Sequence, residues 1–267
     1  MTERPHLSRS SFALPVAVAV AVAVAQAFFC LFLLSPPTAS AAEHGTADSR
    51  AEALADRVMT ALGGMEAWDA ARLVEFGFAG RRQHAWDRHR GLSRVEGTEE
   101  DGTKWVAIQD LGTRQGRAWV DGEEVRGERA AELLERGYGA WVNDTYWLVM
   151  PYKLGDPGVA LTYEGEREIE GERREVLGLA FEGVGLTPGD RYWVYVDPDS
   201  GLVTHWAYRL EDMERDAEPV AWRWEGWREV GGVMLSPRRV RVSDDRLLEL
   251  WPLAVRRDVP EGLFDGP

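Results

Sequence analysis

The sequence predicts a mainly β fold: a curved antiparallel sheet, or incomplete barrel, of about a dozen strands wrapped around an N-terminal helix and a central helical lid. Three observations predict it. From Val74 onward apolar residues recur with a period of two, as in "LVEFGFAG", "KWVAIQD" and "RYWVYVD". Gly/Asp turn signals such as "EEDGT", "VDGEE" and "DPDSG" separate these runs at hairpin spacing. Only two segments keep helical spacing, too few to cover both faces of a parallel sheet.

The chain has 267 residues. Its start reads as a leader rather than as part of the fold. Arg4 and Arg9 precede an uncharged apolar run from Phe12 to Leu34, which ends at Pro36-Pro37 and the small-residue stretch "TASAA". A basic head, an apolar body and an A-x-A exit describe a secretory signal peptide over residues 1–41, cut before Ala42. The run is also long enough to act as an uncleaved anchor; the helix-breaking prolines favour cleavage. Residues 42–50 then form a short flexible N-terminus and 51–267 a single domain. The expected location is periplasmic or extracellular, without permanent membrane insertion once the leader is cut.

Cys30 is the sole cysteine and lies inside the leader, so residues 42–267 have neither a disulfide nor thiol chemistry. A chain of this length buries roughly 70% of its unfolded surface without such staples. The formal charge of −14 argues against nucleic acid and against electrostatic adhesion to anionic lipid surfaces, and leaves apolar ligands open. All 12 tryptophans lie beyond the leader, while lysine occurs only at Lys104 and Lys153.

"DSRAEALADRVMTALGG" reads as an amphipathic helix capped at Asp48 or Ser49, with Leu54, Val58, Ala61 and Leu62 on its apolar stripe and Gly63-Gly64 as its stop. "MEAWDAARL" adds a turn or two. A meander of short strands follows. "GERAAELLERGYGAWVNDTYWLVMP" interrupts it with apolar residues around most of a helix, so that helix is enclosed. Pro151 and Pro157 stop it. Hairpins fill the rest of the chain.

Motifs for catalysis are missing: no G-x-S-x-G, H-E-x-x-H, G-x-x-x-x-G-K or C-x-x-C occurs. His84 and His89 are five apart in a strand-turn region, which does not make a shared metal site. "DPDSG" lacks the later ligands of a calcium loop and reads as a turn. No enzyme activity, cofactor or metal is expected.

The aromatics point elsewhere. On alternating strands Tyr192 faces one side and Trp193 and Tyr195 the other; Trp206 and Tyr208 share a face, as do Trp222 and Trp224. Either these rings fill a sheet covered by the helices, or they line a concave face only partly filled, a pocket for an acyl chain or other apolar ligand. On the second reading Trp141, Tyr146, Trp147, Met150, Lys153, Trp193, Tyr195, Trp206, Tyr208, Trp222 and Trp224 are the cavity candidates. Lys153 either pairs with nearby Asp156 or meets a ligand carboxylate or phosphate at the mouth. Asn143, Asp144 and Thr145 cap or kink the helix through local side-chain bonds.

The string Asn143-Asp144-Thr145-Tyr146-Trp147, then Met150-Pro151-Tyr152-Lys153-Leu154, then Asp156-Pro157-Gly158, resembles the signature of a family of exported bacterial proteins. That family is similar in its order of elements to the LolA/LolB-like lipoprotein carriers, over roughly residues 50–264. The resemblance implies a LolA-like half-barrel around helices with an apolar cavity between them, and it carries over no functional residue. The expected function is binding of a lipid-like or lipoprotein acyl ligand in that cavity, with carriage in the cell envelope. Alternatives are an envelope scaffold that binds a protein partner through aromatic patches, and a hydrolase-type enzyme on an envelope substrate.

Overall fold

Alternation in the sequence becomes alternation in space. The computed structural model describes residues 41–181, 189–214 and 216–267, with side chains from Ser49 onward. The expected leader lies outside the described residues up to residue 40. Helix α1 spans Ala41–Ala61, so it takes in the 42–50 stretch expected as a flexible lead, and α2 spans Gly64–Ala70. Six strands follow: β1 (Leu73–Phe78), β2 (Arg82–Asp87), β3 (Leu92–Thr98), β4 (Lys104–Asp110), β5 (Gly116–Val120) and β6 (Glu123–Val125). Helix α3 spans Gly127–Val149 and passes into a 3-10 turn, Met150–Lys153.

The second half continues with β7 (Val159–Ile169), β8 (Glu172–Phe181), β9 (Arg191–Val196), β10 (Val203–Arg209) and β11 (Val220–Glu225). Then come β12 (Arg228–Val230), β13 (Val233–Leu235), β14 (Arg238–Arg241), β15 (Leu247–Glu249) and β16 (Leu253–Arg256). All pairing is antiparallel. One sheet has the order β16-β1-β2-β3-β4-β5-β6 and the other β15-β14-β11-β10-β9-β8-β7, with β12 and β13 as a separate ribbon. The mainly β class with a central helix agrees with the sequence reading. Three of the described strands are only three residues long beside β6, which explains a count above the expected dozen.

The two sheets meet at one corner and stay apart at the other. At the meeting corner the chain leaves β15, crosses Trp251 and Pro252, and enters β16; Ala79 N–H bonds the Glu249 carbonyl (2.8 Å) and Gly77 N–H the Pro252 carbonyl (2.8 Å). A Cβ on Gly77 would stand 2.2 Å from the Trp251 carbonyl oxygen. Backbone cannot step aside as a side chain can, so Gly77→Ala is expected to lower the unfolding free energy by about 1–3 kcal/mol in a urea titration. At the other corner β6 and β7 are connected through α3, which closes the gap with side chains in place of backbone hydrogen bonds.

That helix serves both sheets in turn. Its first half lies on the first sheet, where Leu133 joins Val95, Trp105, Ala107 and Ala118 in a small core. Gly137 lets the helix sit close there, because a Cβ on it would be 2.7 Å from the Ala107 methyl group. Its second half, Tyr146 to Val149, enters the main core with α1, α2 and the inner face of the second sheet. On the outer face of the first sheet, Phe264 covers Val106, Ile108 and Trp119, held there as Arg94 donates to the Leu263 and Gly266 carbonyls.

Candidate functional site

The register of the second sheet assembles an aromatic wall. Trp206 pairs across the ladder with Val194 and Trp222, and Tyr208 with Tyr192, so one face carries Tyr192, Trp206, Tyr208, Trp222 and Trp224. Onto this wall α3 lowers Tyr146 and Trp147. The Trp147 ring centre lies 4.7 Å from that of Trp206 and 5.1 Å from that of Trp222, both edge-on. Tyr146 meets Trp206 at 5.7 Å and Tyr192 at 5.9 Å, also edge-on. These are the separations and angles that ring quadrupoles favour. Met150 is fully buried beside them.

Seven of the eleven cavity candidates are therefore brought together: Tyr146, Trp147, Met150, Trp206, Tyr208, Trp222 and Trp224. They touch one another, so the expected part-filled concavity is filled by the helix cover itself. The other four lie elsewhere. Trp193 and Tyr195 stand on the opposite face of β9, as strand alternation requires, with the Trp193 indole donating to Glu164 (3.1 Å). Trp141 sits over the first sheet, its ring 5.5 Å from Trp86 and 5.9 Å from Tyr138. Lys153 is ion-paired with Asp156 at the surface, the structural alternative of the two readings.

Sequence reasoning missed two groups. The first locks α3 to the first sheet. Asp144 is completely buried and receives both Nε (2.6 Å) and Nη2 (2.9 Å) of Arg82 and the Nε2 of His84 (2.7 Å). Burial pushes its carboxyl up, but the His84 and Arg82 hydrogen bonds outweigh that and hold it below the usual range. Asp144 thus turns away from its own helix backbone, and of the expected local bonds two form: Asn143 donates to the Asp144 carboxylate (2.8 Å) and Thr145 to the Trp141 carbonyl (2.6 Å). His84 lies flat beneath Phe76, ring centres 4.6 Å apart.

The second group is Arg239. Its register partner is Trp224, and its guanidinium lies 3.2 Å over that ring, with no part of the residue exposed. Among the described residues no carboxylate is ion-paired with it. Its Nη1 donates to the carbonyls of Ser236 (2.9 Å) and Arg238 (2.9 Å) and to the Ser236 hydroxyl (2.8 Å); its Nη2 donates to the carbonyl of Trp147 (2.6 Å). Burial pushes the guanidinium well below its ordinary value. Its Nε, and the indole N–H groups of Trp206, Trp222 and Trp224, are buried without a partner.

No family model matches the chain, and no curated protein matches it. Among solved structures it is similar to a DUF1329 family protein from Desulfovibrio piger, at 13% identity over 80% of this chain and 96% of that one, with a TM-score of 0.43. A domain assigned as an outer membrane lipoprotein-sorting protein from Vibrio parahaemolyticus is 8% identical, over 82% and 97%, with a TM-score of 0.41. A LolA superfamily protein from Nitrosomonas europaea is 11% identical, over 78% and 96%, with a TM-score of 0.34. These likenesses decide nothing about what the chain binds, which has to follow from its own groups.

Proposed function

We propose that this is an exported, non-enzymatic binding protein of the cell envelope. It takes the chain of a lipid-like ligand against the aromatic wall of the second sheet. The observation that carries this reading is the nature of the cover. Five aromatic side chains lie on one sheet face, where the end of α3 sets Tyr146 and Trp147 against them and α1 and α2 complete the cover, in place of the second sheet of a β-sandwich. A helix end gives way more easily than a sheet, because only side-chain contacts and a few hydrogen bonds hold it. An acyl chain replaces apolar contacts with apolar contacts, so the exchange costs little in transfer free energy.

The rings that remain exposed do not favour the scaffold alternative. The exposed large apolar side chains among the described residues are Met65, Leu247 and Trp251. Single exposed residues of this kind are normal on a folded surface.

Native mass spectrometry after incubation with palmitate and, separately, 1-monopalmitoylglycerol tests the reading. A one-to-one adduct with at least one of the two supports it. The bare mass with both overturns it.

A further inference from the structure

The interior that would receive the ligand is short of acceptors. Four buried donors lack partners there: Nε of Arg239 and the indole N–H groups of Trp206, Trp222 and Trp224. The Arg239 and Trp224 groups are stacked, and Trp206 lies 6.3 Å from Trp224 between ring centres. A purely structural core would match such donors with carbonyls or fill the space with carbon, since a buried polar group left unmet is costly. A buried cation without a carboxylate is costlier still. What the cluster lacks is one group bearing negative charge and several lone pairs.

We propose that Arg239 is the receptor for the acidic head of a single-chain amphiphile, a carboxylate or a phosphate monoester, whose tail lies along the aromatic wall. This rests on the proposed function and specifies its ligand. The guanidinium fork matches either head, and the indole N–H groups of Trp206 and Trp224 add donors beside it.

The same arginine holds the cover in place. Its Nη2 donates to the carbonyl of Trp147, near the end of α3. An anionic head competes for that donor, and a charged acceptor wins over a neutral carbonyl. Head binding therefore frees the end of α3 at the moment when the tail needs its place. Asp144, three residues earlier, keeps the helix on the first sheet through Arg82 and His84, so the movement is confined to the segment beyond it.

The test compares two ligands with the same tail. Palmitate and 1-monopalmitoylglycerol are titrated separately into the full chain at neutral pH and followed by intrinsic tryptophan fluorescence. Palmitate is expected to bind at least about tenfold more tightly, the ratio that one extra charge-assisted hydrogen bond supplies. Equal affinities overturn the assignment of the head while leaving the binding function standing; no binding of either removes the function itself. Arg239→Met should abolish the preference, so that palmitate and the glyceride bind the variant equally. Should that variant fail to fold, Trp224→Phe keeps an aromatic side chain but removes the indole donor, and a preference reduced severalfold is expected. An undiminished preference in whichever variant folds would place the head elsewhere. A decyl phosphate arm separates the two head chemistries: binding equal to that of a carboxylate of the same chain length supports a general anion receptor, and no binding overturns the phosphate half.

Discussion

Asp144→Ala is expected to cost about 3 kcal/mol of unfolding free energy, the low end of the range for breaking a buried ion pair. The low end applies because the Arg82 side chain is 28% exposed, so its released head reaches water, and only the neutral ring of His84 is left buried, with neither nitrogen partnered. The sign of the pH dependence follows from the depressed carboxyl. An acid whose folded value lies below its unfolded value, about 3.9, stabilises the fold fully above that pH. The contribution fades as pH falls through the folded value. Urea titrations from pH 6 down to pH 2 should therefore show the wild type losing its advantage over Asp144→Ala below about pH 4. An advantage unchanged down to pH 2 would mean that the contribution of Asp144 does not depend on its ionisation, against the depressed carboxyl.

Trp206→Ala should be the most damaging single substitution in the aromatic wall. Its ring meets Tyr146, Trp147, Tyr192, Tyr208 and Trp224, and the residue is almost entirely enclosed. Truncating a buried Trp to Ala costs about 3–5 kcal/mol, of which part is the cavity left behind. Against a total stability on the order of 5–15 kcal/mol, that is a large share. Trp193→Ala is the control. On the outer face of the same sheet it gives up one surface hydrogen bond to Glu164 and should shift the urea midpoint far less. Comparable losses at both positions would refute the division of the sheet into a packed face and an outer face.

Much of this architecture is legible before any coordinates. The central helix was expected over residues 127–151 and runs Gly127–Val149, because its apolar residues keep helical spacing right up to a proline. Strand alternation already put Trp193 and Tyr195 on the face opposite Tyr192; including them in a cavity with Trp206 and Trp222 mixed the two sides of one sheet. Whether the concavity was empty was not legible, since it depends on how far the end of α3 reaches in, and volumes cannot be read from a pattern.

The two polar groups were hidden for a different reason. Asp144 meets Arg82 and His84 across some sixty positions of sequence, and only the register of β2 beneath α3 brings them together. Arg239 was masked by its surroundings. In "RRVRV" the valines look like the core-facing row and the arginines like the solvent row, yet pairing with Trp224 turns Arg239 inward. An arginine register-paired with a core tryptophan is the signal that would have found it, and it exists only once the strands are paired.

The reading of the molecule depends on the end of α3 being an exchangeable cover, and amide hydrogen exchange with and without saturating palmitate tests that most directly. Palmitate should strip protection from the amides of Tyr146 to Met150 while residues 127–137, on the first sheet, stay protected. Unchanged or increased protection across Tyr146 to Met150 with palmitate bound would show that the ring-filled interior never opens and that the ligand sits somewhere else.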